Sequence, residues 1–238
     1  MGAFLYGTAL QLKLGIRSKS LLVTYYVVPL IFFALMGGIF TSITPEMKHT
    51  LIQSMTVMGV SMGALIGFPP SITETYGSDI KKVYKANGVP LFHGLFSMFL
   101  SSFVHLLILS VIIYFIAPVA FDAAIPENSV LYFSSLAIFT AVSLSIGCVL
   151  GLSVKNQGKL IMFSQLVFLP SILLSGILFP ADLLPEILNA IAKIFPATWG
   201  FQLMMEHGFT FGNLLPLLFL FLAAVIVCGC QLKRLRAE

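Results

Sequence analysis

Charge is what this chain of 238 residues has least of: Asp, Glu, Lys and Arg make up 9% of it, where a soluble domain carries about a quarter. So few charges cannot hold a whole surface in water, which excludes an ordinary soluble globule. Carboxylates are the scarcer kind, nine against thirteen Lys and Arg. Each falls in an expected loop or terminus, so no intramembrane pair is available for a proton relay, and an ion-driven carrier is disfavoured. The three cysteines, Cys148, Cys228 and Cys230, sit in apolar stretches and read as packing residues, not as a disulfide framework or metal site. Signatures of chemistry are missing too. Gly158-Lys159 is followed by leucine and lacks the upstream glycine of a phosphate-binding loop. No cofactor is therefore expected on this chain, and no catalytic residue. His-Glu-x-x-His and Gly-x-Ser-x-Gly elements are absent, which counts against a hydrolase. The basic residues are scattered over short loops rather than gathered in a patch, which excludes nucleic acid as a partner.

What the chain has is apolar length. Hydrophobic residues make up 58% of it, and uncharged runs recur at about 21–42, 52–72, 92–117, 130–154, 160–178 and 214–232. Each approaches or exceeds the roughly 20 residues that cross a bilayer. The expectation is an all-α polytopic membrane protein, one domain of six transmembrane helices. Met1 to Ser20, with Lys13, Arg17 and Lys19, reads as an interfacial helix before an uncleaved first span. A signal peptide is the rival, but the run that follows is longer than a secretory core and lacks a small-x-small cleavage site. With the N-terminus inside, the inner segments hold eleven Lys and Arg and the outer ones only Lys48 and Lys193. That bias places both termini in the cytoplasm and the chain in the plasma membrane, in contact with lipid.

Within the spans, Gly59, Gly63 and Gly67 recur every fourth residue on the second, and Ser143, Gly147 and Gly151 on the fourth. Small residues so spaced make a groove for a neighbouring helix. Pro29 and Pro170 are expected to bend the first and fifth spans. His105 is the ionisable residue nearest mid-membrane. It is either a neutral side chain bonded to a neighbouring serine or carbonyl, or a polar group of a pathway, with Gln165 as partner or fellow lining residue.

Two segments outside the spans stand out. Thr73 to Pro90 is expected to be a cytoplasmic loop holding a short amphipathic helix, with Ser78 as cap, Ile80, Val83 and Tyr84 on one face and Asn87-Gly88 as terminator. It either docks a cytosolic partner or rests its lysines on anionic lipid. Asp182 to Phe195 is expected to form an amphipathic helix capped by Asp182, begun near Pro185 and closed by Pro196. It lies at the outer surface or dips in and returns.

Taken together, Glu74, Gly77, the basic segment and Pro90, with Ser175-Gly176, Phe179-Pro180, Leu184-Pro185 and Phe195-Pro196, resemble type-2 ABC-transporter permeases. The resemblance covers the whole chain. It implies an ABC exporter of the drug or antimicrobial-resistance type whose ATP and Mg²⁺ are bound by a separate ATPase subunit. It further implies a second permease copy or paralogue around a central path lined in part by the second and fifth spans. It assigns ATPase coupling to Glu74, Gly77, Lys81, Lys82 and Tyr84, and an outer hairpin or gate to Gly176, Pro180, Pro185 and Pro196. Ala86-Asn87-Gly88 departs from the more basic or threonine-containing turn of many members. The alternative function is a non-transporting immunity or sensor protein that binds a toxic peptide. An importer permease is a further rival, but Lys155 to Lys159 is too short for its docking loop.

Overall fold

The computed structural model describes residues 2–77, 90–178, 184–205 and 207–237, and every regular element among them is helical. In chain order these are α1 (Gly2–Arg17), α2 (Lys19–Ile43), α3 (Leu51–Gly77), α4 (Leu91–Phe121), α5 (Ser129–Ser153), α6 (Gln157–Leu174), α7 (Glu186–Ala192), α8 (Pro196–Met204) and α9 (Phe211–Ala237). Six of them, α2 to α6 and α9, are long and apolar enough to cross a membrane. They fall on the six uncharged runs.

The breaks between helices follow from side-chain chemistry. Ser18 separates α1 from α2 by accepting the Leu21 N–H. Asn128 and Asn156 start α5 and α6 by accepting from the backbone N–H of Leu131 and Lys159, at 3.1 and 3.0 Å. Asp122, at φ 58°, ends α4 in the left-handed conformation, and Gly176, at φ 86°, lies just beyond α6.

Prolines leave a mark the sequence reading did not foresee. Wide π turns at Val23–Val27 and Gly63–Gly67 lie immediately before Pro29 and before Pro69-Pro70. The N–H groups of Val28 and Phe68 there reach back to the carbonyls of Val23 and Gly63. A proline supplies no N–H and crowds the carbonyl four residues back, and a widened turn relieves that crowding.

The bundle is organised around α3. Of its most apolar stretch 94% is buried, against 17–67% for the other spans. Helices in lipid gain little by hiding apolar surface from one another, so close approach and hydrogen bonds hold them. Both are present. Gly147 of α5 meets the Ala64 carbonyl of α3, and Gly151 meets Pro69 and Ile72. The Thr56 and Tyr132 hydroxyls join α3 to α5 at 2.8 Å. Gly59, Gly63 and Gly67 face side chains instead: Leu109 and Leu106 of α4, and Tyr25 of α2. The expected groove for a helix backbone is thus found on α5, while the glycines of α3 receive side chains.

At one end of the bundle Ala124 N–H donates to the Lys48 carbonyl (3.0 Å), and Lys48 pairs with Asp122 at 3.7 Å. At the other end α5 and α9 are joined by Gln231 and Ser153 (3.3 Å).

Candidate functional site

The segment expected to be a loop from Thr73 onward is still helical through Gly77, so α3 runs further than its apolar run. Thr73 makes that extension affordable: its hydroxyl is buried and donates to the carbonyls of Gly151 (2.8 Å) and Val154 (3.2 Å). One turn on, the buried Tyr76 donates its hydroxyl to the Leu91 carbonyl at 2.6 Å. The last turn of α3 is therefore tied both to the end of α5 and to the start of α4. Glu74 and Gly77 are exposed on that turn, and no described residue lies within 4 Å of where a Gly77 side chain would begin. Lys81, Lys82 and Tyr84 lie outside the described residues, as does the expected amphipathic helix around them. Sequence reading missed Thr73 and Tyr76, since neither carries a charge or belongs to a motif.

Beyond α6, Pro180 and the proposed cap Asp182 also lie outside the described residues. The expected helix is present but shorter, Glu186–Ala192, with exposed Pro185 just before it. Ile187, Leu188 and Ile191 are exposed on it. Pro196 does not merely stop the chain. It occupies the first turn of α8, a helix absent from the sequence expectation. The ring fits there because its missing N–H would have had no intrahelical partner. α8 is the better buried of the two: Gly200 receives the Phe139 ring of α5, and the Leu203 carbonyl accepts from Ser135 (3.0 Å). Two of its side chains also satisfy the end of α7, Thr198 donating to the Ala192 carbonyl and Trp199 to that of Lys193, both at 2.7 Å.

His105 is 2% exposed. Its Nδ1 is 2.7 Å from the Tyr26 hydroxyl, and the adjacent Tyr25 hydroxyl bonds Ser102 at 2.8 Å. Tyr26 is a partner the sequence did not suggest, while the ring also faces the Leu12 backbone of the neighbouring α1, in keeping with the carbonyl expected. α4 has 31 residues, about 46 Å at the helical rise, longer than the hydrocarbon of a bilayer. His105 lies level with Tyr26 near the start of α2, beside α1. Gln165 is half-buried on α6, which packs on α3, α5, α7 and α8, and it does not join the His105 cluster.

At the centre, α3 packs on both α5 and α6. These three helices carry six buried hydroxyls with no hydrogen-bond partner among the described residues: Ser54, Ser61, Thr140, Ser143, Ser164 and Ser171. Serines are seven apart on α3 and again on α6, which keeps each pair near one helical face.

A family model described as ABC-2 type transporter matches residues 3–209. The chain belongs to the ABC-2 type transporter family. No curated protein sequence matches it. Family membership makes it a multi-pass membrane component of an ABC transporter rather than a catalytic subunit, and implies an ATPase partner. The match runs from α1 through α8 and so takes in the tied end of α3 and the buried hydroxyls.

Proposed function

We propose that the chain is the permease subunit of an ATP-driven exporter. It works with a separate ABC ATPase and a second copy or paralogue, and moves a hydrophobic or amphipathic compound (drug, antimicrobial peptide or lipid) outward across the plasma membrane. The tied end of α3 carries this reading. A force delivered to the end of α3 is passed by the Tyr76–Leu91 and Thr73–Gly151 bonds to α3, α4 and α5 together. α3 is the most enclosed helix, so moving it moves the bundle. ATP and Mg²⁺ stay on the partner, whose contact surface comprises Glu74, Gly77, Lys81, Lys82 and Tyr84.

Support for orientation comes from the basic residues. Alternation of six spans puts Lys13, Arg17, Lys19, Lys155, Lys159, Lys233, Arg234 and Arg236 at the end with the 78–89 segment, and Lys48 and Lys193 at the opposite end. By the positive-inside rule the first end is cytoplasmic. The buried hydroxyls of α3 and α6 supply polar lining once those spans part, while an apolar cargo needs few such groups. The outer hairpin, Gly176 to Pro196, acts as the gate. A turn of only Val154 to Asn156 between α5 and α6 leaves no room for an importer's docking loop.

The test is to replace Lys81, Lys82 and Tyr84 together by alanine and measure co-purification with the cognate ATPase. Retention should fall at least several-fold. Undiminished retention would remove this segment as the docking site.

A further inference from the structure

Where α1, α2, α3 and α4 meet lies a partly open cavity of about 30 Å³. Its polar lining is Gln11 of α1, Tyr25 of α2, Ser71 of α3, and Ser101, Ser102 and His105 of α4, and among the described residues no charged side chain borders it. His105 has one nitrogen well bonded and one not: Nδ1 bonds Tyr26, and the ring also faces the Leu12 backbone of α1, yet the buried Nε2 forms no well-aligned hydrogen bond among the described residues. In either neutral tautomer Nε2 needs a partner, as a donor if protonated and as an acceptor if bare. Tyr25 and Tyr26 pack on the imidazole with ring centroids at 5.8 Å.

α1 closes this junction. Gly15 lies so close that a Cβ there would be 2.7 Å from Nε2, and a Cβ on Gly7 would be 3.5 Å from the Ser97 hydroxyl. Both contacts are eight residues apart on each helix, so α1 and α4 run side by side in the same direction. Among the described contacts, small residues and hydroxyls make the close points of this seam.

We propose that the cavity is an internal hydration site: one water bonded to His105 Nε2 and to the hydroxyls opposite seats α1 on α4. The volume suits one water, which needs two to four polar partners, and the lining supplies them. Neutral polar groups line it among the described residues, which suits a water better than an ion. A seat made by a water can open and close without exposing apolar surface. The proposal stands independently of the transport reading.

The test uses the full chain, labelled with ¹⁵N-histidine, in lipid bilayers. Water-edited solid-state NMR should show rapid polarisation of His105 Nε2 from water, with the signal assigned by its loss in His105→Gln. Gly15→Ala, whose methyl intrudes on Nε2, should abolish the transfer. A wild-type Nε2 that receives none, as when it donates directly to the neighbouring α1 backbone, overturns the hydration site.

Seating is read by disulfide trapping between Gly7→Cys and Ser97→Cys in a chain whose three native cysteines are replaced by alanine. Trapping should fall several-fold in Gly15→Ala and in His105→Phe, and be largely kept in His105→Gln, which retains a polar group. A Lys48→Cys/Asp122→Cys pair at the far end should trap equally in all variants, as a control for folding. Full trapping in both Gly15→Ala and His105→Phe overturns the seat. If His105→Phe fails the control, His105→Gln and Gly15→Ala decide: trapping lost in the first or kept whole in the second overturns it.

Discussion

Gly151→Ala isolates the cost of helix approach in this bundle. A methyl there would stand 2.7 Å from Ile72 Cβ and 2.8 Å from the Pro69 carbonyl oxygen, inside the 3.4 Å at which contact becomes ordinary. Neither obstacle is a flexible tip. One is backbone and the other the branch point of a stiff side chain, so α5 must move off α3 by a good part of an ångström. Overfilling of this kind costs about 1–3 kcal/mol. The same movement stretches the bond from Thr73 to the Gly151 carbonyl, now 2.8 Å, and an interhelical bond in lipid contributes about 0.6 kcal/mol on average. Against this stands the roughly 0.5–1 kcal/mol a helix gains when alanine replaces glycine. The net expectation is a loss of about 1–3 kcal/mol, or a drop of roughly 2–12 °C in apparent melting temperature at this chain length. Gly229→Ala is the matched control. It lies on a helix with nothing within 4 Å of its would-be methyl, so it gains the helical term alone. Thermal unfolding of the two variants in detergent, followed by near-ultraviolet circular dichroism, should separate them by several degrees. Equal melting temperatures would refute the claim that α5 and α3 meet backbone to backbone.

Other expectations follow from single contacts. Tyr76→Phe removes the donor to the buried Leu91 carbonyl and should cost about 1–3 kcal/mol. Faster amide exchange at the start of α4 is the measurement, and no change would mean that the bond does not anchor the 78–89 segment. Tyr132→Phe strands the buried Thr56 hydroxyl and should lower stability by about 0.6 kcal/mol, at most about 1.7, read by the same melting assay. Lys48→Ala breaks an ion pair whose Asp122 side chain is 91% exposed. It should leave the melting temperature within about a degree, because exposed pairs contribute little. Thr198→Val strips the hydroxyl that donates to the end of α7. It should raise exchange across Glu186–Ala192 while leaving α8 protected.

The spans were legible because hydrophobic length is a one-dimensional signal. A run such as Leu214 to Leu232 states its own structure whatever its neighbours do. Legible for the same reason was the tight seam at Gly147 and Gly151, where residue size at a fixed spacing is itself the cause. What the sequence hid was set by partners or by competing roles of one residue. Pro196 both ends one helix and begins another, and only the buried packing of Gly200 on Phe139 decides that α8 forms. Thr73 and Tyr76 gave no sign of anchoring the end of α3, since their bonds reach α5 and α4. The π turns before Pro29 and Pro69 depend on how each helix accommodates its proline, which hydrophobic pattern does not encode.

Whether the bundle takes its energy from a partner is decided most directly in proteoliposomes. The purified chain would be reconstituted with and without its ATPase subunit, and the movement of a fluorescent amphiphilic dye followed against its gradient. ATP-dependent movement with both proteins, and none with either alone, is the predicted result. Uphill movement by the chain without any ATPase would contradict it.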